Sequence, residues 1–205
     1  DDGKRGGHGG SVGLGAGRRR CRVGGKRRRG KRSIRAPMRI VIASDHAGFP
    51  LKQEILPLVR SLGHEVIDVG TDGTAAVDYP DYAVRGCEVI LRGEADRGIL
   101  LCGSGVGMCI AANKIPGIRA GNIEDHYSAH QGVEHDDMNV IVLGGRTTGA
   151  AVAADLVRAF LAATYTGEER HARRLSKVLA IEAHPEQFRA VARTGAQSPA
   201  GAGHG

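Results

Sequence analysis

A cysteine followed by a glycine-rich turn is the part of this sequence best suited to chemistry. Cys102 directly follows the apolar run 98–101, and a segment compatible with a helix begins a few residues later. The turn between them reads Gly103-Ser104-Gly105-Val106-Gly107. A strand, a glycine turn and a helix start make a nest of backbone N–H groups that can hold an anion. A thiol beside these dipoles should ionise more easily than a free thiol, so Cys102 could act as a base or a nucleophile.

The same glycine pattern also fits a tight turn that carries a buried, unreactive cysteine. The turn lacks the Lys-Ser/Thr pair of a nucleotide-binding P-loop. It is also a poor dinucleotide fingerprint, because it follows the third predicted strand and no suitable acidic residue ends the next strand. The turn alone leaves both interpretations open.

Polar residues also stand at the ends of two other predicted strands. Asp45 and His46 follow the first strand, where they could bind a hydroxyl or a phosphate, although Asp45 could equally cap the next helix. His135 and Asp136 precede the fifth strand, and Arg146 follows it. His135 could be a general acid or base, or a cap that neutralises a helix dipole. Since open α/β sheets bind ligands at strand ends, we expect all three clusters at the ligand-binding edge.

Two arginines at the start of the last predicted helix could bind a phosphate. Arg170 and Arg174 are four residues apart, which places them on one helix face. Basic side chains at a helix start oppose the helix dipole unless an anion is bound there. The pair therefore favours a phosphate clamp over a merely solvated face.

Alternating strands and helices must position these residues. The hydrophobic pattern predicts strands at 39–44, 65–69, 97–101, 117–121 and 139–143, and helices at 49–62, 79–92, 106–113, 125–135, 148–163 and 170–183. Repeated strand–helix units with short loops indicate a parallel sheet covered on both faces. We predict an α/β fold: a Rossmann-like, three-layer α/β/α domain with a five-stranded parallel sheet and an extra C-terminal helix. No strand follows that helix, so its apolar side must pack elsewhere, for example on a second subunit.

The basic charge of the chain is concentrated in residues 1–37. This segment carries 13 Lys and Arg against two Asp, a net +11, while the whole chain is +7, so the remainder is −4. Nucleic-acid binding by the domain is therefore not indicated. The Gly/Arg-rich composition predicts disorder. The segment could be a basic RNA-binding tail or a transit peptide, but we favour translated upstream sequence, because the first strand pattern begins directly at Met38.

The rest of the composition narrows the class of protein further. We assign residues 38–190 to one domain and 191–205 to a loose tail. No apolar run approaches the ~20 residues of a membrane span. The four cysteines lack the spacing of zinc ligands and suit reduced thiols, so we expect a cytoplasmic protein with no bound metal. Few aromatic residues argue against platforms for stacking bases.

Taken together, the motifs resemble one family along residues 38–185. The matching stretches are Ser44-Asp45-His46-Ala47-Gly48-Phe49, Asp78-Tyr79-Pro80, Cys102-Gly103-Ser104-Gly105-Val106-Gly107, Ile110-Ala111-Ala112-Asn113-Lys114, Gly117-Ile118-Arg119-Ala120, Asn139-Val140, Gly144-Gly145-Arg146 and Arg170-His171. They resemble the type B ribose-5-phosphate isomerases, in the superfamily that includes galactose-6-phosphate isomerase. The resemblance implies an aldose–ketose isomerase of the pentose phosphate pathway that uses neither a metal nor a cofactor.

The resemblance also implies roles for individual residues. Cys102 takes the position of the base, and Met108 stands where some members carry a glutamate. His135 matches the residue that opens the furanose ring, and Ser104 with the turn N–H groups would stabilise the enediolate. The substrate contacts implied are Asp45, His46, Gly103, Gly105, Val106, Gly107, Asp136, Arg146, Arg170 and Arg174. The family's site lies across a dimer interface, so a homodimer or a dimer of dimers is implied.

One position departs from the family pattern. The family usually has Asn where this chain has Asp136. An Asp adds negative charge beside an anionic sugar phosphate and removes an amide donor. Two alternatives to the pentose reaction therefore stay open: an isomerase of a six-carbon sugar 6-phosphate, and a phosphosugar-binding protein without catalysis.

Overall fold

The computed structural model describes residues 36–187 as alternating strands and helices. The strands are β1 (Arg39–Ser44), β2 (Glu65–Asp68), β3 (Arg97–Cys102), β4 (Ala120–Asn122) and β5 (Val140–Gly144). The helices are α1 (Phe49–Ser61), α2 (Tyr79–Leu91), α3 (Val106–Ala112), α4 (His126–Asp136), α5 (Ala150–Ala162) and α6 (Glu169–Ala183). The predicted disorder before residue 36 and the predicted loose tail at 191–205 lie outside the described residues.

The five strands form one parallel sheet in the order β2-β1-β3-β5-β4. Every residue of β3 and β5 is buried, as expected for strands covered on both faces. In the register, Cys102 lies beside Gly144, and Val140 lies beside Gly98. This confirms the predicted α/β fold and puts the cysteine strand at the centre of the sheet.

Alternate residues of each strand point to two separate hydrophobic layers. Ile40 and Ile42 of β1 pack with α1, α4 and α5 on one face. Val41 and Ala43 point the other way, where α2 and α3 cover the sheet. Successive side chains of a strand point to opposite faces of the sheet, so each face presents apolar side chains. Helices cover both faces, which gives the three layers.

The fourth strand begins three residues later than predicted. Gly117 has φ +86°, and the side chain of Asn139 holds the segment as a loop. The amide of Asn139 donates to the carbonyl of Gly117 at 2.9 Å, and its oxygen accepts the N–H of Arg119 at 2.8 Å. These two hydrogen bonds keep residues 117–119 out of the strand, so β4 spans only Ala120–Asn122. The apolar pattern of the sequence does not reveal such side-chain bonds.

The last helix leaves much of its apolar side uncovered. Val178, Leu179 and Ile181 of α6 are exposed. They line a cavity of about 930 Å³ between α6 and the start of β4. No helix in the range 36–187 has the length and apolar character needed to cross a membrane.

Candidate functional site

Three loops meet at the carboxyl edge of the sheet, where β1, β3 and β5 end side by side. The N–H of Asp45 donates to the carbonyl of Leu101 at 3.1 Å. On the other side of β3, the N–H of Gly145 donates to the carbonyl of Cys102 at 2.7 Å, and that of Arg146 to Gly103 at 2.9 Å. These bonds fix the loops that carry Asp45, Cys102 and Arg146 against one another.

Close backbone packing explains one of the glycines at this edge. A Cβ on Gly48 would lie 2.8 Å from the backbone N of Cys102 and even closer to the carbonyl of Leu101. Only a residue without a side chain allows α1 to begin this close to the end of β3.

Cys102 is held inside this edge with its sulfur facing a backbone donor. The residue is 5% exposed, and its Sγ accepts the N–H of Gly105 at 3.2 Å. Gly105 has φ +82°, a conformation that glycine adopts without strain and that turns its N–H back toward the sulfur. The sulfur is therefore held in place by a backbone donor of the glycine turn.

Burial raises the pKa of two other thiols in the described part of the chain. Cys87 is fully buried in α2, and this burial raises its pKa to about 11. Burial also raises the pKa of Cys109 in α3, whose Sγ accepts from the side-chain amide of Asn113 at 3.5 Å. Among the described thiols, Cys102 is the one at the carboxyl edge of the sheet, beside the glycine turn.

Asp45 and His46 lie beside the glycine turn, as the sequence predicts. Oδ1 of Asp45 accepts the N–H groups of Ala47 and Gly48 at 2.9 and 2.8 Å, so this carboxylate does organise the turn before α1. Within residues 36–187, its Oδ2 makes no hydrogen bond. Nδ1 of His46 accepts the N–H of Val77 at 3.2 Å. Each residue thus has one atom held by the backbone and a second that is available to a ligand.

His135 and Asp136 lie at the opposite edge of the sheet, so the expectation that all three clusters lie at one ligand-binding edge is wrong for these two residues. They end α4, which returns from the carboxyl end of β4 to the start of β5. The start of β5 pairs with Gly98, four residues before Cys102, which is a separation of about 13 Å along the strand. A helix that connects parallel strands must end at the amino edge, so strand order alone was enough to place His135 there.

A second group of functional side chains forms around His135 at this amino edge. Its ring lies 3.9 Å from that of His171, and its Nδ1 lies 2.7 Å from the amide of Gln131. His171 is 1% exposed and contacts the hydroxyl of Thr166 at 3.0 Å. Desolvation lowers the pKa of His171, and the neighbouring His135 lowers it further. His171 and Gln131 were not among the predicted site residues, because contacts between two helices leave no periodic signal in the sequence.

The two predicted phosphate arginines of α6 belong to this amino-edge group. Arg170 is exposed and pairs with Glu168 at 3.0 Å. Arg174 lines the cavity along α6 together with Asp136. Arg146 remains at the carboxyl edge, where a Cβ on Gly103 would lie 3.7 Å from its Cδ. One chain therefore carries two separate groups of predicted site residues.

We call these groups the thiol half-site and the histidine half-site. The thiol half-site contains Asp45, His46, the residues from Cys102 to Gly107, and Arg146. The histidine half-site contains His135, Asp136, Arg170 and Arg174. In the part of the chain that the structure describes, no three His, Cys, Asp or Glu side chains are grouped so that they could hold a metal ion.

A thiol that accepts a backbone N–H, with an arginine beside the following glycine, lies at the carboxyl edge of this parallel sheet, where α/β proteins bind small anionic ligands. Comparison with known proteins identifies the family: residues 40–178 match the family model described as Ribose/Galactose Isomerase, and the chain belongs to that family. It is a sugar phosphate isomerase. Ribose-5-phosphate isomerase B of Escherichia coli is 44% identical over 144 residues, which are 70% of this chain and 96% of that protein.

Solved structures share the fold. Ribose-5-phosphate isomerase B of Clostridium thermocellum aligns with a TM-score of 0.70 at 46% identity, over 72% of this chain and 99% of that chain. The Mycoplasma genitalium ribose-5-phosphate isomerase B, solved with bound ribulose 5-phosphate, aligns with a TM-score of 0.66 at 37% identity. That alignment covers 71% of this chain and 96% of the other.

Proposed function

We propose that this chain interconverts ribose 5-phosphate and ribulose 5-phosphate through an enediolate, with no metal or organic cofactor. The observation that carries the proposal is the Sγ of Cys102, which accepts the N–H of Gly105 inside the glycine turn. The relatives named above support the pentose substrate, since they carry the ribose-5-phosphate name and one was solved with the ketose phosphate.

Cys102 moves the proton between the two reacting carbons. As a thiolate it removes the proton from C2 of the open-chain aldose, and the electrons of that bond form the double bond between C1 and C2. The resulting thiol returns the proton to C1, while the proton of the C2 hydroxyl passes to the C1 oxygen. The N–H of Gly105, which the sulfur accepts, holds this base in position for the transfer.

The glycine turn stabilises the negative charge that develops on the enediolate oxygen. Ser104 and the N–H groups of Gly103, Val106 and Gly107 are the donors of this proposal. The N–H of Gly105 is already used by the sulfur, so it supports the base rather than the oxygen.

His135 opens the furanose ring by giving a proton to the ring oxygen while the anomeric hydroxyl loses one. Because His135 and Cys102 lie at opposite edges of one sheet, a second copy of the chain must supply the histidine half-site. A homodimer, or a dimer of dimers, with the site between copies meets this need. Arg146 from one copy and Arg170 with Arg174 from the other then bind the phosphate.

The sugar preference depends on Asp136, which is exposed on the histidine half-site. Its carboxylate repels an anionic substrate but can accept a hydroxyl proton of a longer sugar. An isomerase of an allose- or galactose-type 6-phosphate is therefore the second candidate. The pentose reaction would place the enzyme in the pentose phosphate pathway, and its need for a reduced thiol would place it in the cytoplasm.

The test is isomerisation of ribose 5-phosphate by the purified chain in excess EDTA, beside allose 6-phosphate and galactose 6-phosphate. Turnover of the pentose phosphate alone, or at the highest kcat/KM, supports the proposal. Preferred turnover of a six-carbon phosphate assigns the second candidate. Binding of ribose 5-phosphate by calorimetry without turnover of any of the three sugars contradicts the proposal.

A further inference from the structure

A buried lysine lies next to the thiol half-site and has no part in the chemistry proposed above. Lys52 of α1 is 2% exposed, although its side chain carries a charge. Its Nζ contacts both carboxylate oxygens of Asp68 at 3.0 Å and donates to the carbonyl of Thr71 at 2.6 Å. A buried ammonium is tolerated only when its three N–H groups find acceptors, and here they do.

These bonds clamp the turn that follows β2 against the end of β1. The N–H of Gly70 donates to Asp68 at 3.0 Å, and that of Thr71 donates to the carbonyl of Ser44 at 2.9 Å. A Cβ on Gly70 would lie 2.6 Å from the N of Ser44 and 3.1 Å from the Nζ of Lys52. The turn is therefore packed directly on the residue that precedes Asp45.

The loop that leaves this turn reaches back to His46. Six residues after Thr71, the N–H of Val77 donates to Nδ1 of His46 at 3.2 Å. In a neutral imidazole one nitrogen accepts and the other carries the proton. An Nδ1 that accepts from the backbone places the proton on Nε2, which makes no hydrogen bond within residues 36–187. Nε2 is thus a donor available to an oxygen of the substrate.

We propose that Lys52 is a positioning residue: its clamp on the 68–71 turn holds Val77 against His46 and so fixes His46 as an Nε2–H donor. The substrate that receives this donor rests on the proposed function, whereas the clamp and the tautomer do not. Removal of the ammonium leaves the Asp68 carboxylate and the Thr71 carbonyl without their partner, so the turn loses its attachment to α1. The loop to Val77 then moves freely, and His46 samples both tautomers.

Long-range ¹H–¹⁵N NMR of the ¹⁵N-labelled full chain reads the tautomer without any substrate, with His46→Asn to assign the resonances. We expect a single Nε2–H tautomer for His46 in the wild type and a mixture of the two in Lys52→Met. Lys52→Arg keeps a cation at this position and should restore most of the Nε2–H signal. Asp68→Asn weakens the same clamp more gently and replaces Lys52→Met if that variant does not fold.

Kinetics supplies the second measurement. Because substrate binds only the Nε2–H form, KM in Lys52→Met rises in proportion to the fraction of His46 that loses this tautomer, about twofold for an equal mixture, while kcat is unchanged. Arg39→Met is the matched control, because Arg39 also bonds an aspartate and a backbone carbonyl, those of Asp96 and Gly93, but at the start of β1. It should leave KM and the His46 tautomer unchanged.

Three outcomes overturn the proposal. They are an Nδ1–H tautomer for His46 in the wild type, an unmixed Nε2–H tautomer after loss of the clamp, and an unchanged KM in Lys52→Met. A wild-type chain that isomerises no sugar phosphate would refute the proposed function instead, while the tautomer measurement would still decide the role of Lys52.

Discussion

The imidazole rings of His135 and His171 lie 3.9 Å apart, with an angle of 33° between their planes. The hydroxyl of Thr166 donates to the carbonyl of Glu134 at 3.1 Å, so it accepts from Nδ1–H of His171 at 3.0 Å. The buried ring of His171 therefore links the start of α6 to the end of α4 and packs against the ring of His135.

His171 should make the fold sensitive to acid. Its pKa is lowered, mainly by desolvation, so the folded chain resists a proton that the unfolded chain accepts. Its contribution to stability is complete above the ordinary histidine pKa of about 6.5 and is lost as pH falls through and below that value. Urea unfolding at pH 7.5 and 5.5 should show a smaller loss in His171→Asn, whose amide can still donate to Thr166. An equal loss in the two proteins would contradict this account.

Replacement of Cys102 by Ser should lower kcat by about 10³-fold, because a hydroxyl is a far weaker base than a thiolate and general-base catalysis contributes 10²–10⁴-fold. Cys109→Ser is the matched control and should keep kcat within about twofold. Calorimetry should show that Cys102→Ser still binds ribose 5-phosphate. Near-wild-type turnover by Cys102→Ser would remove the thiol from the mechanism.

Mixing two inactive variants should restore activity if the site lies between copies. Cys102→Ser damages one half-site and His135→Ala the other. In a randomly exchanged mixture half of the dimers are hybrids, and each hybrid has one site with both half-sites intact, so about a quarter of the sites should work. Each variant is assayed alone and after joint refolding. A mixture that stays as inactive as its parts would place both residues in one chain's site.

Gly48→Ala should destabilise the fold by about 2 kcal/mol, the usual effect of overpacking. The added methyl would meet the backbone of Leu101 and Cys102, which cannot move without disturbing the sheet. Gly73→Ala is the control, since nothing lies within 4 Å of its Cβ position. Urea unfolding should place the control within about 0.5 kcal/mol of the wild type. Equal effects at the two glycines would refute the close packing described here.

Asp136→Asn should raise kcat/KM for ribose 5-phosphate about fivefold. The change removes a negative charge from the edge of the phosphate site, and an exposed pair of like charges is worth about 1 kcal/mol. Glu65→Gln, at the exposed start of β2 on the other side of the sheet from β4 and β5, also removes one negative charge and should have no effect. A lower kcat/KM for ribose 5-phosphate in Asp136→Asn would show that the carboxylate helps to bind the pentose and would contradict this prediction.

The fold could be predicted from the sequence because the spacing of apolar residues differs between its strands and its helices. The central strands are continuous apolar runs, and their glycine-ended turns mark where helices begin. The start of β4 was misplaced because Asn139, a residue distant in sequence, holds Gly117–Arg119 as a loop. A local pattern contains no information on such a long-range side-chain bond.

The sequence named the candidate residues, whose roles stay predictions, but the expectation put His135 at the same edge as Cys102. The side chains of Cys102, His135 and Arg170 indicated a base, a general acid or base, and a phosphate-binding group. The family motifs then implied a specific role for each. Their separation follows from the direction in which α4 runs, which a list of strand ends does not consider. The contact of His135 with His171 depends on how α4 and α6 pack, and only the three-dimensional structure revealed it.

The position of the two half-sites at opposite ends of one sheet has a consequence for inheritance. Under the proposed assembly, a duplicated gene could lose the thiol in one copy and the histidine in the other, and the pair would still form one working site per hybrid dimer. Each gene product would then be inactive as a homodimer and would need the other gene product for activity. An enzyme with this layout can therefore become an obligate heterodimer of two gene products through loss-of-function substitutions alone, without any new contact between the subunits.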